Sequence, residues 1–159
     1  ENIEIKNVKI IEITIAEEKK VIAKQILVDL PEWFGIPEHT ENYIEKSSEM
    51  PFLAIYIDDI VAGFASLKKT AECTSEIFCM GVIKKYHRKG LGQQLYYKLE
   101  RLAKKLGYKY IQVKTVEKGR YDEYDKTNAF YESVGFCELE VFPKLWDEWN
   151  PCQIYIKAI

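Results

Sequence analysis

The sequence has few of the residues that bind metals or form disulfides: His 2 and Cys 4 in 159 residues. The cysteines form no Cys-x-x-Cys pair and have no histidine companions at the spacing that zinc sites use. Cys137 and Cys152 could face each other if their strands pair, yet four cysteines in a chain of this length do not require a bridge. We therefore expect no metal site, and reduced thiols typical of a cytoplasmic protein. The cysteines are Cys73, Cys79, Cys137 and Cys152.

An excess of charge of one sign is also absent, because Lys plus Arg total 23 against 25 for Asp plus Glu. A net charge of −2 provides no broad basic field for nucleic acid. No apolar run approaches the roughly 20 residues of a membrane span. The first residues lack the basic-then-apolar layout of a signal peptide. We therefore expect neither nucleic acid nor a membrane as a partner.

Apolar and aromatic residues are plentiful, at 47% and 13%, enough for one folded domain over residues 1–159. Periodicity and helix breakers predict the order strand, two helices, three strands, helix, strand, helix, two strands. The clearest helix begins at Leu91, has leucines at steps of three and four, and is followed by Gly107 at its C′ position. The predicted strands are 8–15, 51–57, 60–67, 76–82, 108–116, 136–142 and 152–158, and the predicted helices 16–30, 38–47, 91–106 and 125–134.

A short basic turn between the fourth predicted strand and the third predicted helix carries the strongest functional signal. Gly90 and Gly92 allow the backbone to approach a ligand closely. The N–H groups at a helix start lack intrachain acceptors, and the helix dipole favours an anion there. His87, Arg88 and Lys89 add donors and positive charge. The pattern predicts a phosphate or pyrophosphate site, and an ordinary strand-to-helix turn is the alternative.

Two common phosphate motifs do not match this turn. A P-loop ends in Gly-Lys-Ser/Thr, whereas Gly92 is followed by two glutamines. A dinucleotide fingerprint requires a third glycine three residues after the second, where Leu95 stands.

The string His87-Arg88-Lys89-Gly90-Leu91-Gly92, five residues after Val82, resembles the coenzyme A site of the GNAT superfamily of N-acetyltransferases. That motif is commonly Gln/Arg-x-x-Gly-x-Gly/Ala after a strand ending in Val, so His87 departs from it. The resemblance implies an α/β (α+β) fold with a mixed, mainly antiparallel twisted sheet of about seven strands flanked by about four helices. It also implies acetyl-CoA as co-substrate. The implied cofactor-binding residues of this segment are Met80, Gly81, Val82, His87, Arg88, Lys89, Gly90, Leu91, Gly92 and Gln93.

A second segment, residues 127–136, resembles the late helix of the same family. Asn128 and Tyr131 are three residues apart and share a helical face. In relatives the asparagine contacts the pantetheine or phosphate arm, and the tyrosine hydroxyl lies near the coenzyme A sulfur. The resemblance therefore implies that both residues bind the cofactor and that Tyr131 donates a proton to the departing thiolate. The alternative is that Tyr131 only packs on the sheet.

Acetylation of an amine also requires a base, because an alkylammonium is not nucleophilic until it loses a proton. Glu76 lies six residues before Val82, in a string that resembles that of histone-acetylating relatives with a general-base glutamate at the corresponding strand position. The alternatives are a solvated carboxylate or an ion-pair partner. A main-chain N–H near Val82 could polarise the thioester carbonyl, and Gly81 would permit a bulge there.

Aromatic and acidic residues occur together in predicted loops that border the acceptor site in relatives. Such loops would favour a cationic amine, from a small molecule or a peptide, by carboxylate pairing and cation–π contact. A solvated acidic surface is the alternative. The aromatic residues are Trp33, Phe34, Tyr121, Tyr124, Trp146 and Trp149, and the acidic ones are Glu32, Glu38, Asp122, Glu123, Asp147 and Glu148.

Together these resemblances imply an acetyl-CoA-dependent N-acetyltransferase that moves an acetyl group to a primary amine by direct transfer in a ternary complex. A covalent enzyme intermediate is not expected, because neither His39 nor His87 has a nucleophile as motif partner. The alternative is a non-catalytic acyl-CoA sensor on the same fold. A nucleotide-binding or protein-interaction domain is a more distant one. Family resemblance leaves a homodimer open.

Overall fold

The computed structural model describes residues 5–159. These residues form seven strands and four α-helices in the order that the sequence predicts. The strands are β1 (Val8–Glu12), β2 (Phe52–Ile57), β3 (Ile60–Lys69), β4 (Thr74–Val82), β5 (Tyr110–Val116), β6 (Cys137–Phe142) and β7 (Cys152–Ala158). The helices are α1 (Ala16–Leu27), α2 (Pro37–Ser47), α3 (Leu91–Lys105) and α4 (Asp122–Ser133), with a 3₁₀ turn at Lys84–Tyr86.

The described strands form one sheet in the order β1-β2-β3-β4-β5-β7-β6. Pairs β1–β2, β2–β3, β5–β7 and β6–β7 are antiparallel, whereas β4 and β5 are parallel. The predicted mixed, mainly antiparallel sheet is therefore confirmed.

The chain divides into two compact units. The first unit comprises the described residues up to Lys68 together with Phe78–Arg101, and the second comprises Lys69–Ile77 with Leu102–Ile159. Strand β4 and helix α3 each contribute residues to both units. That the chain is a single domain stays a prediction.

The core of the first unit lies between helices α1 and α2 and strands β2 to β4. Apolar residues of α1 recur at the three- and four-residue steps of a helix, so one face is buried. Phe52 of β2 stacks on Phe64 of β3, with ring centroids 5.0 Å apart. The buried members are Ile13, Ile22, Ala23, Ile26, Leu27, Leu30, Ile44, Phe52, Ala54, Phe64 and Cys79.

Helix α1 packs directly on the backbone of β4 at Gly81. A Cβ at that position would lie 2.8 Å from Leu30 Cδ1 and 3.3 Å from Ile26 Cγ2. The close approach of Ile26 and Leu30 therefore accounts for the glycine, and the expectation that it permits a bulge stays a prediction.

Backbone angles confirm two turns, namely the two-residue turn that the predicted strands 51–57 and 60–67 imply and the predicted helix end at Gly107. Asp58 and Asp59 join β2 to β3 with φ of 49° and 67°, the positive values of a two-residue type I′ hairpin turn. Gly107 has φ of 93°, and the Tyr108 N–H bonds to the Ala103 carbonyl (3.0 Å), as in a Schellman motif after α3.

In the second unit β7 pairs with both β5 and β6, and their register keeps the cysteines apart. Cys137 lies opposite Ile156, and Cys152 lies opposite Phe142. The two sulfurs therefore do not face each other, and all four cysteines are free thiols. Desolvation by burial raises the pKa of Cys152 to about 11.

Two kinds of structural feature are absent from residues 5–159. Within this range no helix combines the length and apolar character needed to cross a membrane. The same residues contain no group of three or more His, Cys, Asp or Glu side chains that could hold a metal ion.

The packing of Leu30, which follows α1, on Gly81 can be tested by a double-mutant cycle. Gly81→Ala should lower the free energy of unfolding by about 1–3 kcal/mol, because the added methyl group overpacks the contact with Leu30. In a Leu30→Ala background the same change should cost clearly less, because the methyl group then has room. Urea denaturation of the four proteins measures both costs. Equal costs in the two backgrounds would show that Leu30 does not require the glycine.

Candidate active site

The predicted phosphate-binding turn lies in the first unit, between the end of β4 and the start of α3. Arg88 and Gly90 have positive φ, 61° and 80°, so the chain reverses sharply before the helix. A Cβ on Gly90 would meet no heavy atom within 4 Å among the described residues, which leaves open space over the backbone. The glycine is therefore required by its backbone angle, and its surface is accessible to a ligand.

The start of α3 presents main-chain donors at this turn. The hydrogen bond that begins the helix runs from the Gln94 N–H to the Gly90 carbonyl (3.2 Å). The N–H groups of Leu91, Gly92 and Gln93 precede it, so helix geometry gives them no intrahelical acceptor. Together with the helix dipole they favour an anion.

Exposed basic residues precede these donors in the sequence. Arg88 and Lys89 are exposed side chains on the turn itself. Lys85 lies over the Tyr86 ring, with its Nζ 5.0 Å from the ring centroid. The turn is therefore locally positive in a chain whose net charge is −2.

His87 makes contacts within the first unit, and its binding to a cofactor stays a prediction. Its ring Nε2 bonds to the Val82 carbonyl, and the Trp33 ring packs against it edge-on at 6.0 Å. The Ile83 N–H bonds to the Ala62 carbonyl (2.9 Å), so the peptide between Val82 and Ile83 is fixed at both polar groups. The His87 side chain therefore stabilises the conformation of the turn through its bond to the main chain. The Ile83 N–H is not available to polarise a thioester.

The remaining predicted residues of this segment lie at the end of β4. Met80 is half-buried, whereas Gly81 and Val82 are buried. Their contact with a cofactor stays a prediction.

Glu76 lies in the second unit as an ion-pair partner, one of the alternatives for this residue. Its Oε1 accepts from Gln112 Nε2 (3.1 Å) and pairs with Lys114 Nζ (3.1 Å). The parallel register of β4 and β5 places Glu76 opposite Gln112, and Lys114 follows two residues later on the same face. The Glu76 side chain is only 8% exposed, so its charge is compensated at a largely dry position. Its role as a base stays a prediction.

Asn128 connects α4 to the end of β5. Its Nδ2 donates to the carbonyls of Val116 (2.9 Å) and Tyr124 (2.7 Å), and its Oδ1 accepts from the Tyr155 hydroxyl (2.7 Å). The residue is 1% exposed. Both amide hydrogens are thus bonded inside the protein, so a contact in which Asn128 donates to a cofactor would have to replace one of these bonds.

The Tyr155 hydroxyl also extends this network to the surface. It lies 3.1 Å from Glu132 Oε1, which in turn pairs with Lys118 Nζ at 3.2 Å. The Lys118 ammonium, with a smaller contribution from Tyr155, lowers the pKa of the Glu132 carboxyl. Desolvation and the Glu132 carboxylate raise the pKa of Tyr155 far above its usual range.

Tyr131 packs on the sheet, as the alternative for this residue expects. Its ring lies 5.6 Å from that of Phe136 and 6.4 Å from that of Tyr155, measured between centroids. The residue is 7% exposed, so the phenol is held in a fixed position. Such packing is compatible with a proton donor that must be positioned, and the catalytic role stays a prediction.

The aromatic and acidic residues of the loops differ in how available they are to contact an acceptor amine. Trp33 is half-buried and packs against the core of the first unit. Glu32 pairs with Lys84, and Asp147 Oδ1 accepts from the N–H groups of Trp149 and Asn150 (2.8 Å each). Trp146 and Trp149, by contrast, are 45% and 72% exposed.

Several residues of these arrangements were not singled out from the sequence. Lys114 and Gln112 carry a weak signal, because they alternate on one face of an otherwise apolar strand. Tyr155 sits in the apolar strand β7, so no local pattern reveals its partner.

Comparison with known proteins connects this geometry to a family. The model of the acetyltransferase (GNAT) family matches residues 21–136. No curated protein gives a significant match. Solved structures match nearly the whole chain at low identity, which shows that the fold is shared.

Three of these structures illustrate the likeness. A GNAT-family protein from Desulfovibrio desulfuricans has a TM-score of 0.80 at 16% identity, covering 96% of this chain and 99% of its own. A GNAT acetyltransferase from Elizabethkingia anophelis, solved with acetyl-CoA bound, has a TM-score of 0.76 at 17% identity. The match covers 96% of this chain and 99% of that protein. The ribosomal-protein-S18-alanine N-acetyltransferase from Escherichia coli has a TM-score of 0.75 at 17% identity. The match covers 96% of this chain and 94% of that protein.

The buried network around Asn128 can be tested with Tyr155→Phe. We expect a loss of about 1–3 kcal/mol in unfolding free energy, because Asn128 Oδ1 would remain buried without its donor. Tyr110→Phe, at a tyrosine 44% exposed, is the matched control and should change stability by less than about 0.5 kcal/mol.

The effect of Tyr155→Phe on the free energy of unfolding should depend on pH. The folded-state pKa of Glu132 is depressed below its reference of 4.5. Its hydrogen bond to Tyr155 therefore stabilises the folded state above about pH 4.5. This stabilisation is lost as the pH falls through the folded-state pKa of Glu132. Urea denaturation at pH 7 and pH 3 should show a smaller difference between wild type and Tyr155→Phe in acid. Equal effects of the two Tyr→Phe changes at pH 7 would contradict the network.

Proposed function

Because the chain belongs to the GNAT acetyltransferase family, we propose that it transfers an acetyl group from acetyl-CoA to a primary amine in a ternary complex. The observation that carries the proposal is the turn before α3, with its open Gly90 surface and main-chain donors. A small-molecule or peptide amine is the proposed acceptor. Neither nucleic acid nor a membrane is a proposed partner, and a cytoplasmic location and a homodimer stay predictions.

The residues of the turn fit a pyrophosphate group. The N–H groups of Leu91, Gly92 and Gln93 would bind its oxygens, and Arg88 and Lys89 would add charge. A side chain at position 90 would cover the space that Gly90 leaves open. His87, which is bonded to the main chain, would hold the turn in shape.

When bound, acetyl-CoA supplies an acetyl thioester, so that an N–C bond forms to the amine as the C–S bond breaks and the thiol leaves. The incoming ammonium must lose a proton, and the departing sulfur must gain one. We assign these proton transfers to Glu76 and Tyr131, on the strength of the family resemblance. Lys114 and Gln112 would hold the Glu76 carboxylate in place.

A cationic acceptor is favoured by the exposed aromatic rings rather than by every acidic residue of the loops. Trp146 and Trp149 have exposed faces available for cation–π contact. Glu32 and Asp147 are already bonded within the chain, so they would contribute less than their charge suggests. A protein of this fold can act on a protein amine, since the Escherichia coli protein is a ribosomal-protein-S18-alanine N-acetyltransferase.

Gly90→Val tests the cofactor site against a matched control. The change should weaken coenzyme A binding at least tenfold, or by about 1.4 kcal/mol, because the side chain would cover the main-chain donors. Gly107→Val is the control, since Gly107 also has positive φ (93°) and also faces open space, but lies at the far end of α3. Both changes introduce similar backbone strain, whereas only the first should alter the dissociation constant measured by calorimetry.

Unchanged affinity in folded Gly90→Val would refute the assignment of the turn. Tight coenzyme A binding by wild type, without release of thiol in an amine panel, would instead favour the acyl-CoA sensor.

The proposed proton transfers predict separate kinetic effects. Tyr131→Phe should lower kcat by about 10²–10⁴-fold with little change in coenzyme A affinity. Glu76→Gln should remove the acidic limb of the pH–rate profile. Tyr110→Phe serves as the control for the loss of a hydroxyl group. Retention of the acidic limb in Glu76→Gln would assign the base to water or another carboxylate.

A further inference from the structure

The segment after α1 contacts the predicted cofactor turn at several points, all within the first unit. In this segment, residues 29–33, Asp29 and Glu32 both form hydrogen bonds with Lys84, which follows them in sequence by 55 and 52 residues. None of these contacts involves the main-chain donors at the start of α3. They act instead on residues 84–87, through which the chain enters the turn.

The main contact satisfies a backbone donor. Asp29 Oδ2 accepts from the Lys84 N–H at 2.7 Å. Lys84 begins the 3₁₀ turn, and Ile83 before it provides no side-chain cap. The first N–H groups of a helical turn lack acceptors within the turn, so Asp29 supplies from a distant segment what a capping residue normally supplies locally.

Two further contacts join the same segments. Glu32 Oε1 lies 2.7 Å from Lys84 Nζ, and this pairing lowers the pKa of Glu32 and raises that of Lys84. Both side chains are more than 40% exposed, so the pair contributes little by itself. Trp33 packs on the His87 ring, which bonds to the Val82 carbonyl. Residues 29–33 thus contact both the main chain and the side chains of residues 84–87.

We propose that Asp29 is a positioning residue for cofactor binding: its carboxylate caps the 3₁₀ turn at Lys84 and so fixes the approach to the anion-binding turn at Gly90. This inference rests on the proposed function of that turn. The positive φ values of Arg88 and Gly90 are reached only a few residues after Lys84, so a shift at its entry displaces the donors that follow. Binding by oriented main-chain donors is sensitive to displacements of this kind. Glu32 and Trp33 have a supporting role.

The test compares Asp29→Ala with Asp29→Asn. Alanine removes the acceptor for the Lys84 N–H, whereas asparagine keeps an acceptor oxygen at the same distance and loses only the charge. We expect the dissociation constant for coenzyme A to rise about five- to tenfold in Asp29→Ala and to stay within about twofold in Asp29→Asn. Glu17→Ala, which removes an exposed carboxylate at the other end of α1, is the control and should leave the affinity unchanged.

A second ligand locates the effect. Adenosine 3′-phosphate 5′-diphosphate has the diphosphate but no pantetheine arm, so it should show the same loss in Asp29→Ala as coenzyme A. Calorimetry on folded protein separates this effect from a general loss of stability, which lowers the melting temperature without changing the affinity of the folded fraction.

The outcomes distinguish this inference from the proposed function. Failure of wild type to bind coenzyme A would overturn both. Binding by wild type and Asp29→Ala with equal affinity would overturn the role of Asp29 alone, as would equal losses in the Asn and Ala variants. Should Asp29→Ala not fold, hydrogen exchange in wild type decides. The Lys84 amide should be protected and should gain protection with coenzyme A, whereas unprotected exchange would overturn the proposal.

Discussion

The first unit depends on the close packing of helix α1 and the following Leu30 against the backbone of β4 at Gly81. Leu30 occupies the space that a side chain at Gly81 would take, and this contact fixes where the segment after α1 lies relative to the strand. Asp29 precedes Leu30 in sequence, and Lys84 follows Gly81 by three residues. The packing of one apolar side chain on a glycine therefore brings the Asp29 carboxylate within hydrogen-bonding distance of the Lys84 N–H. A packing constraint in the core is thus transmitted to the turn that carries the main-chain donors.

In the second unit Asn128 has the corresponding role. An amide side chain can donate twice and accept at its oxygen, and Asn128 does so toward the end of β5, its own helix and Tyr155 of β7. A buried polar group is costly unless it is bonded, so this arrangement specifies one position for α4. The Tyr131 phenol lies on that helix. Its orientation is therefore set by a hydrogen-bond network whose residues need not touch a substrate.

Most of the fold could be predicted from the sequence because its signals are local. The leucines of α3, the Asp58-Asp59 turn and the glycine after α3 act within one or two turns of chain, and each prediction is confirmed. Boundaries were less accurate for a physical reason. Helix α1 ends at Leu27 rather than at residue 30, because the N–H of Leu30 bonds to the carbonyl three residues back and tightens the last turn.

The site could be predicted only in part, because its glycines are local signals and its side-chain pairs are not. The turn at Gly90 follows from neighbouring residues, whereas the pairing of Glu76 with Lys114 depends on the register of two parallel strands. The net charge, likewise, does not reveal how charges are arranged at the site. The net charge of −2 gives no sign of a basic surface, yet the exposed Arg88 and Lys89 lie just before helix-start N–H groups that have no intrahelical acceptor. Anion binding is governed by the potential within a Debye length of the turn, so the local arrangement outweighs the total.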